Sequence, residues 1–316
     1  MKMNNNVYGI MGIGVKNGNW NAGWDQRPKT NGEDIIKGSS YALQYCIKNQ
    51  WNNIGKKVFG IKTMQKEGTC TTLTQRYTFL FDEEDKGINK KDKDKVEKIK
   101  RVKNNLLSCK DVLHFGVAYT GATNMNIKGL VQFTDGENKF EETNIIDEKI
   151  LSPFGNPKAD DPTMNTNGTK YITDEAHYIY DFSVFPKEYN KYIDDGFDGY
   201  TEEDYEDFKK VSLIAVSNYN SKAKAGCKNE FAMFIKIKEG SNYLLDLNNL
   251  QDYVKVYKDD DDKIFYDLSM INNLIDNVKE KIEDIEIYYN PRTVELEGFN
   301  KNEKTTIFDL ITRKEI

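Results

Sequence analysis

Apolar residues in this chain recur at two periods, and the two alternate without the regular strand–helix–strand rhythm of a parallel sheet. That irregular interleaving predicts an α+β fold. Val7, Ile10, Ile13 and Val15 mark a first strand over Val7–Val15, and its glycines Gly9, Gly12 and Gly14 imply that something approaches this backbone closely. Ile36, Leu43, Ile47 and Trp51 recur at helical spacing, with Ser39 or Ser40 as the N-cap. Val58–Thr63 and Thr71–Phe81 read as strands paired around Lys66-Glu67-Gly68. Val112–Tyr119, Lys128–Phe133 and Phe231–Lys238 have strand character as well. Thr201-Glu202-Glu203-Asp204 has the form of a capping box that opens a helix with Tyr205, Phe208, Val211 and Ala215 on one face. Leu268, Ile271, Ile275, Val278, Ile282 and Ile285 predict a further amphipathic helix.

Two segments interrupt this pattern. Residues 82–110 read as an inserted helix, because Val96, Ile99, Val102 and Leu106 keep a helical stripe while Lys90–Lys103 carries eight positive and three negative side chains. Ser152–Glu175 holds three of the six prolines, with many Asn, Thr and Gly, and predicts a projecting hairpin over 151–176 whose tip lies near Met164. Residues 239–316 form a C-terminal extension of helices and strands on what reads as a single elaborated domain of 316 residues. Within it, Tyr257–Lys263 resembles an epitope tag and is read as a natural acidic turn.

Composition narrows the chemistry. No run approaches the ~20 apolar residues of a membrane span, and the N-terminus lacks the apolar stretch of a signal peptide. A soluble cytoplasmic protein without a membrane partner is expected. Cys46, Cys70, Cys109 and Cys227 are too dispersed for a zinc site and read as reduced thiols. Only two histidines, His114 and His177, are present, and no phosphate-cradling glycine motif follows a strand, so neither a metal nor a cofactor is expected. The net charge of −6 ordinarily argues against a nucleic-acid partner.

Three segments carry candidate contacts. In the loop Lys16–Pro28, Trp20 and Trp24 sit among Asn17, Asn19, Asn21 and Arg27. They read either as a platform for stacked bases or as a cap folded back on the sheet. Lys37-Gly38-Ser39-Ser40 opens the first helix, where backbone donors and the dipole favour an anion, although serines there also act simply as caps. Ser221–Lys228 places Lys222, Lys224 and Lys228 among small residues that let a phosphate come close, or forms a solvated loop. With 40 Lys against 5 Arg, phosphate contacts would rely on point charges. Asp25 is the carboxylate best placed for acid–base or metal-assisted work; Asp160 and Asp161 are a weaker pair, and His114 reads as a core histidine.

In order along the chain come the glycine-flanked strand, Asn17-Gly18-Asn19 running to Gln26-Arg27-Pro28-Lys29, Ile36–Leu43, then Asp111-Val112-Leu113-His114-Phe115-Gly116 and Gly129-Leu130-Val131-Gln132-Phe133. This order resembles the backbone subunit of type I CRISPR Cascade complexes, a crRNA-binding member of the RAMP superfamily, and most nearly its type I-B branch. The resemblance covers most of residues 7–237. It implies an RRM-like, ferredoxin-type palm with a helical insertion and a thumb hairpin. It also implies copies stacked along a crRNA, pairing of that guide with target DNA, other Cascade subunits as partners, and no catalysis by this chain. RNA contacts are then expected at Asn17, Asn19, Trp20, Arg27, Lys37, Ser39, Ser40, Gln44, Met164, Lys222, Lys224 and Lys228. The first loop lacks the proline that commonly precedes Gly18, and the lysine loop lacks arginines. A second expectation comes from type III relatives, in which Asp25 would cleave target RNA with a divalent metal. A third, from another class, is an adaptor that binds only protein.

Overall fold

The computed structural model describes residues 1–88, 94–155 and 165–316. In chain order the elements are β1 (Val7–Gly18), β2 (Lys37–Gly38), α1 (Ser40–Asn53), α2 (Leu73–Phe81), α3 (Lys95–Leu107), α4 (Lys110–Phe115), β3 (Gly116–Tyr119), β4 (Met125–Lys128), β5 (Val131–Phe133) and β6 (Gly136–Asn138). They continue with β7 (Ile145–Gly155), β8 (Asn165–Val184), α5 (Glu202–Ser212), β9 (Cys227–Ile237), β10 (Lys255–Lys258), β11 (Ile264–Asp267), α6 (Ser269–Val278), β12 (Ile282–Tyr289), β13 (Val294–Glu297) and β14 (Thr305–Asp309). The expected mixed α+β class is observed.

A large sheet runs β14-β12-β9-β1-β8-β6-β2, with β5 and β7 also paired to β8. Central strand β1 is buried on both faces, and its alternation separates two cores. Val7, Met11, Ile13 and Val15 face one, shared with Leu43, Ile47 and Trp51 of α1 and Phe208 of α5. Tyr8 and Ile10 face the other, shared with Tyr266 of β11, Ile271 and Ile275 of α6, and Ile285 and Ile287 of β12. Within residues 239–316, β12 and β14 join the large sheet, while β10, β11, β13 and α6 form a layer on one of its faces; α1 and α5 cover the opposite face. What approaches the β1 glycines is the protein itself. A Cβ on Gly12 would lie 2.6 Å from the Tyr266 hydroxyl, and one on Gly14 would lie 2.7 Å from the Glu230 carboxylate.

Several expected strands are not strands. The turn at Lys66–Gly68 closes as expected, with a Met64–Cys70 bridge and the Thr71 N–H donating to the Thr63 carbonyl at 3.1 Å, but no strand pair follows; a capping box between Thr72 and Gln75 starts helix α2, which buries Tyr77. Val112-Leu113-His114-Phe115 belongs to α4, and Gly116, at φ 75°, caps that helix and opens β3. His114 is nevertheless fully buried, stacked between Trp51 and Phe208, and burial pushes its pKa down. The last helix stops at Val278, so Ile282 and Ile285 lie in β12. The Thr201–Asp204 capping box, by contrast, forms as expected.

The long strand β8 does two jobs. From Thr173 onward it pairs with β1, and before Thr173 it pairs only with β7. Where β1 ends at Gly18, the β7–β8 pair continues as a two-stranded arm with Leu151 and Phe154 exposed. Its β7 strand begins at Ile145, earlier than the proline-marked hairpin predicts. Met164, Asp160 and Asp161 lie outside the described residues. Among the described residues no helix is long and apolar enough to cross a membrane.

Candidate nucleic-acid interface

Three segments, the last far downstream of the first two, meet where β1 ends. The Asn19 N–H donates to the Ala223 carbonyl at 2.9 Å and the Lys16 N–H to the Gly226 carbonyl at 2.9 Å, so the lysine loop packs on the end of β1. The Lys37 N–H donates to the Lys29 carbonyl at 2.8 Å, and the Ser39 N–H to Asn21 Oδ1 at 2.8 Å, which brings in the start of α1. Residues 21–37 therefore form a folded-back loop anchored at both ends. Its outer limb rests on the base of the arm. The Arg27 guanidinium lies over the Tyr171 ring at 4.7 Å and pairs with Asp147 at 3.3 Å. Asp147 and Tyr171 are cross-strand partners on β7 and β8.

The individual side chains divide into those that face solvent and those that hold the loops together. Asn17, at φ 50°, is exposed, as are Arg27 and Lys222. Lys29 and Lys222 have no carboxylate within ion-pairing distance among the described residues. Gln44 is half-buried on α1. Lys228 is half-buried, 3.7 Å from Glu230.

Trp20 is not available to a base. It is fully buried, and its indole N–H donates to the Tyr180 hydroxyl. Lys224 is not available to a phosphate. Its ammonium donates to the Trp20 carbonyl and lies over the Trp20 ring at 4.8 Å, and desolvation pushes its pKa down. The two form one internal cation–aromatic contact joining the first loop to the lysine loop. Asn19 is also structural: it is buried, and its amide donates to the carbonyls of Gln26 at 3.0 Å and Tyr171 at 3.1 Å.

The start of α1 holds an anion, and the protein supplies it. The Ser40 N–H donates to Asp135 Oδ1 at 2.8 Å, and Lys37 pairs with Asp135 Oδ2 at 3.2 Å. Burial works against the charged carboxyl, but these donors outweigh it and hold Asp135 below the ordinary aspartate range. Ser39 is the N-cap, its hydroxyl accepting from the Ala42 N–H at 3.3 Å. Sequence reading missed Asp135 because nothing near it in the chain marks it as a helix cap. Asp25 likewise serves its own turn, accepting the Arg27 N–H at 3.1 Å.

Behind the loop lies a buried ionic cluster. His177 Nδ1 is 2.5 Å from Glu230 Oε2, which also accepts the Tyr266 hydroxyl at 3.0 Å. Glu175 pairs with Lys16 at 3.0 Å and with Lys258. Burial disfavours the His177 cation, yet Glu230 and Glu175 outweigh it and raise its pKa. The cluster ties β8, β9 and the C-terminal layer together beside the interface.

The model of the family "CRISPR-associated protein Cas7" matches residues 5–290. A chain of a solved "CRISPR RNA-guided surveillance complex, pre-nicking" superposes with TM-score 0.53 at 13% identity, covering 96% of each chain. A chain of another "CRISPR RNA-guided surveillance complex" gives TM-score 0.49 at 11% identity, covering 94% of this chain and 93% of its own. No curated protein sequence matches. With a family model spanning nearly its whole length, this chain belongs to the CRISPR-associated protein Cas7 family.

Proposed function

We propose that this chain is a non-catalytic, guide-RNA-binding backbone subunit of a type I-B-like CRISPR surveillance complex of the cytoplasm. On this reading its core is an RRM-like palm, and copies stack along a crRNA with other subunits of the complex and present the guide for pairing with target DNA. The observation that carries the reading is the convergence of residues 16–29, 37–40 and 221–228 at the base of the exposed arm. That surface presents backbone groups, Arg27, Lys29 and Lys222, which suit phosphates and carry no base-edge code. The arm, with Leu151 and Phe154 bare, suits a neighbouring copy.

The test is binding of two labelled single-stranded RNAs of unrelated sequence by the wild type and by Arg27→Ala/Lys222→Ala. The double variant is expected to bind both RNAs more weakly by the same factor. Its salt dependence should flatten by up to about one unit of slope per lost contact. Unchanged affinity and slope would remove this surface from the RNA site.

A further inference from the structure

We infer that Trp24 is a base-stacking residue of this interface, an inference that rests on the RNA-binding reading. The chain has three tryptophans. Trp20 and Trp51 are fully buried, with indole N–H groups donating to Tyr180 and, at 2.9 Å, to Asp207. Trp24 is completely exposed, with a relative accessibility of 102%.

Its placement is built. The Gln26 N–H donates to the Gly23 carbonyl at 3.1 Å, closing a tight turn over Gly23–Gln26 with Trp24 at its first corner. The Gly23 N–H to Arg27 carbonyl bond at 2.7 Å and the Asp25 carboxylate on the Arg27 N–H brace the same turn. Asn19 and Arg27 fix it to Tyr171 at the base of the arm. Little loop ordering remains when a ligand lands on the indole.

The surroundings select the occupant. Trp24 is flanked in its turn by Gly23, Asp25 and Gln26, and the Lys29 side chain lies alongside Gly23. A protein-docking patch is contiguous and apolar; an isolated aromatic face in a loop that also carries Arg27 and Lys29 suits a base whose phosphates are held elsewhere on that loop. Stacking is tolerant of sequence, as a subunit that carries any guide requires.

The buried state of the other two indoles makes the experiment direct. A short oligouridylate with room for one copy is titrated into the wild-type protein, following fluorescence anisotropy of the labelled RNA together with tryptophan emission. An abasic ribose-phosphate oligomer of the same length serves as comparison. RNA binding is expected to quench the solvated indole, and the abasic oligomer to leave it bright. Trp24→Ala should bind oligouridylate roughly 5- to 100-fold more weakly with unchanged salt slope, should bind the abasic oligomer like the wild type, and should melt at the wild-type temperature. Trp24→Tyr should restore most of the affinity. Binding of RNA with Trp24 emission unmoved and no loss in Trp24→Ala would overturn the inference while leaving the RNA-binding reading intact. Wild type that binds no RNA would overturn that reading and the inference with it. Blue-shifted Trp24 emission with self-association in the absence of RNA would instead assign the indole to a protein contact and overturn the stacking role.

Discussion

At the residue scale, the decisive contrast is between Trp20 and Trp24, four positions apart in one loop. The first is an internal strut with Lys224 across its face; the second meets solvent. Trp20→Ala removes a fully buried indole and should cost about 3–5 kcal/mol in chemical denaturation, whereas Trp20→Phe should bind RNA as the wild type does. RNA affinity lost in a well-folded Trp20→Phe would return Trp20 to the contact surface. Asp135 teaches a related lesson. A patch of cation and helix N-terminus is an anion site only if no anion of the protein already fills it. Asp135→Asn should lower stability by about 1 kcal/mol through weaker capping and leave RNA binding undiminished. A drop in RNA affinity would mean that Asp135 positions Lys37 for a phosphate.

At the scale of elements, misreadings have identifiable causes. Ile282 and Ile285 continue the helical spacing of α6 yet stand in β12. A β-bulge between Ile282 and Asp284 inserts one residue, so that two positions three apart reach the same core. A bulged strand and a helix then share a local period. In α2 the apolar residues of Thr71–Phe81 suit either element, and Thr72 with Gln75 settles the choice through the cap. The lysine-rich helix α3 is less cationic than its sequence. Lys100 and Lys103 pair with Asp195, and Arg101 pairs with Glu83 at 2.8 Å. Lys110 pairs with Asp204 at 2.7 Å. Much of the acidic run of residues 194–207 is thus spent on the chain's own lysines, which helps explain how a chain of net charge −6 keeps a locally basic surface.

At the scale of the whole molecule, the C-terminal layer and the sheet are joined through groups whose charge depends on the layer being in place. Asp181 of β8 accepts the Gln251 N–H at 3.1 Å on one oxygen, and its other oxygen is buried without a partner. Burial, with Asp252 adding and Lys139 opposing, pushes its pKa up to about 7. The folded chain therefore keeps this proton at a pH where the unfolded chain, with an ordinary aspartate, has lost it. The associated stability is complete below the ordinary aspartate range and disappears as the pH climbs to about 7. Between about pH 5 and pH 8 the wild type should lose on the order of 1–3 kcal/mol relative to Asp181→Asn. Urea denaturation of both proteins at the two pH values measures this difference; parallel pH dependence of the two would refute it.

Sequence by itself determined the α+β class, a serine cap at Ser39 or Ser40 on the first helix, and the capping box at Thr201. Each is written in local spacing or local hydrogen-bond chemistry, which needs no distant partner. It also marked the three segments that converge at the end of β1, because loops rich in Asn, Gly and Lys advertise themselves by composition. Tertiary structure alone decided which of their side chains face outward. Trp20 and Trp24 sit in one polar loop, and Lys222 and Lys224 share one short turn. Whether each is buried depends on Tyr180, Ala223 and Tyr171, partners more than 140 positions away from the first loop. Burial is a property of the pair that meets, and no single segment carries it.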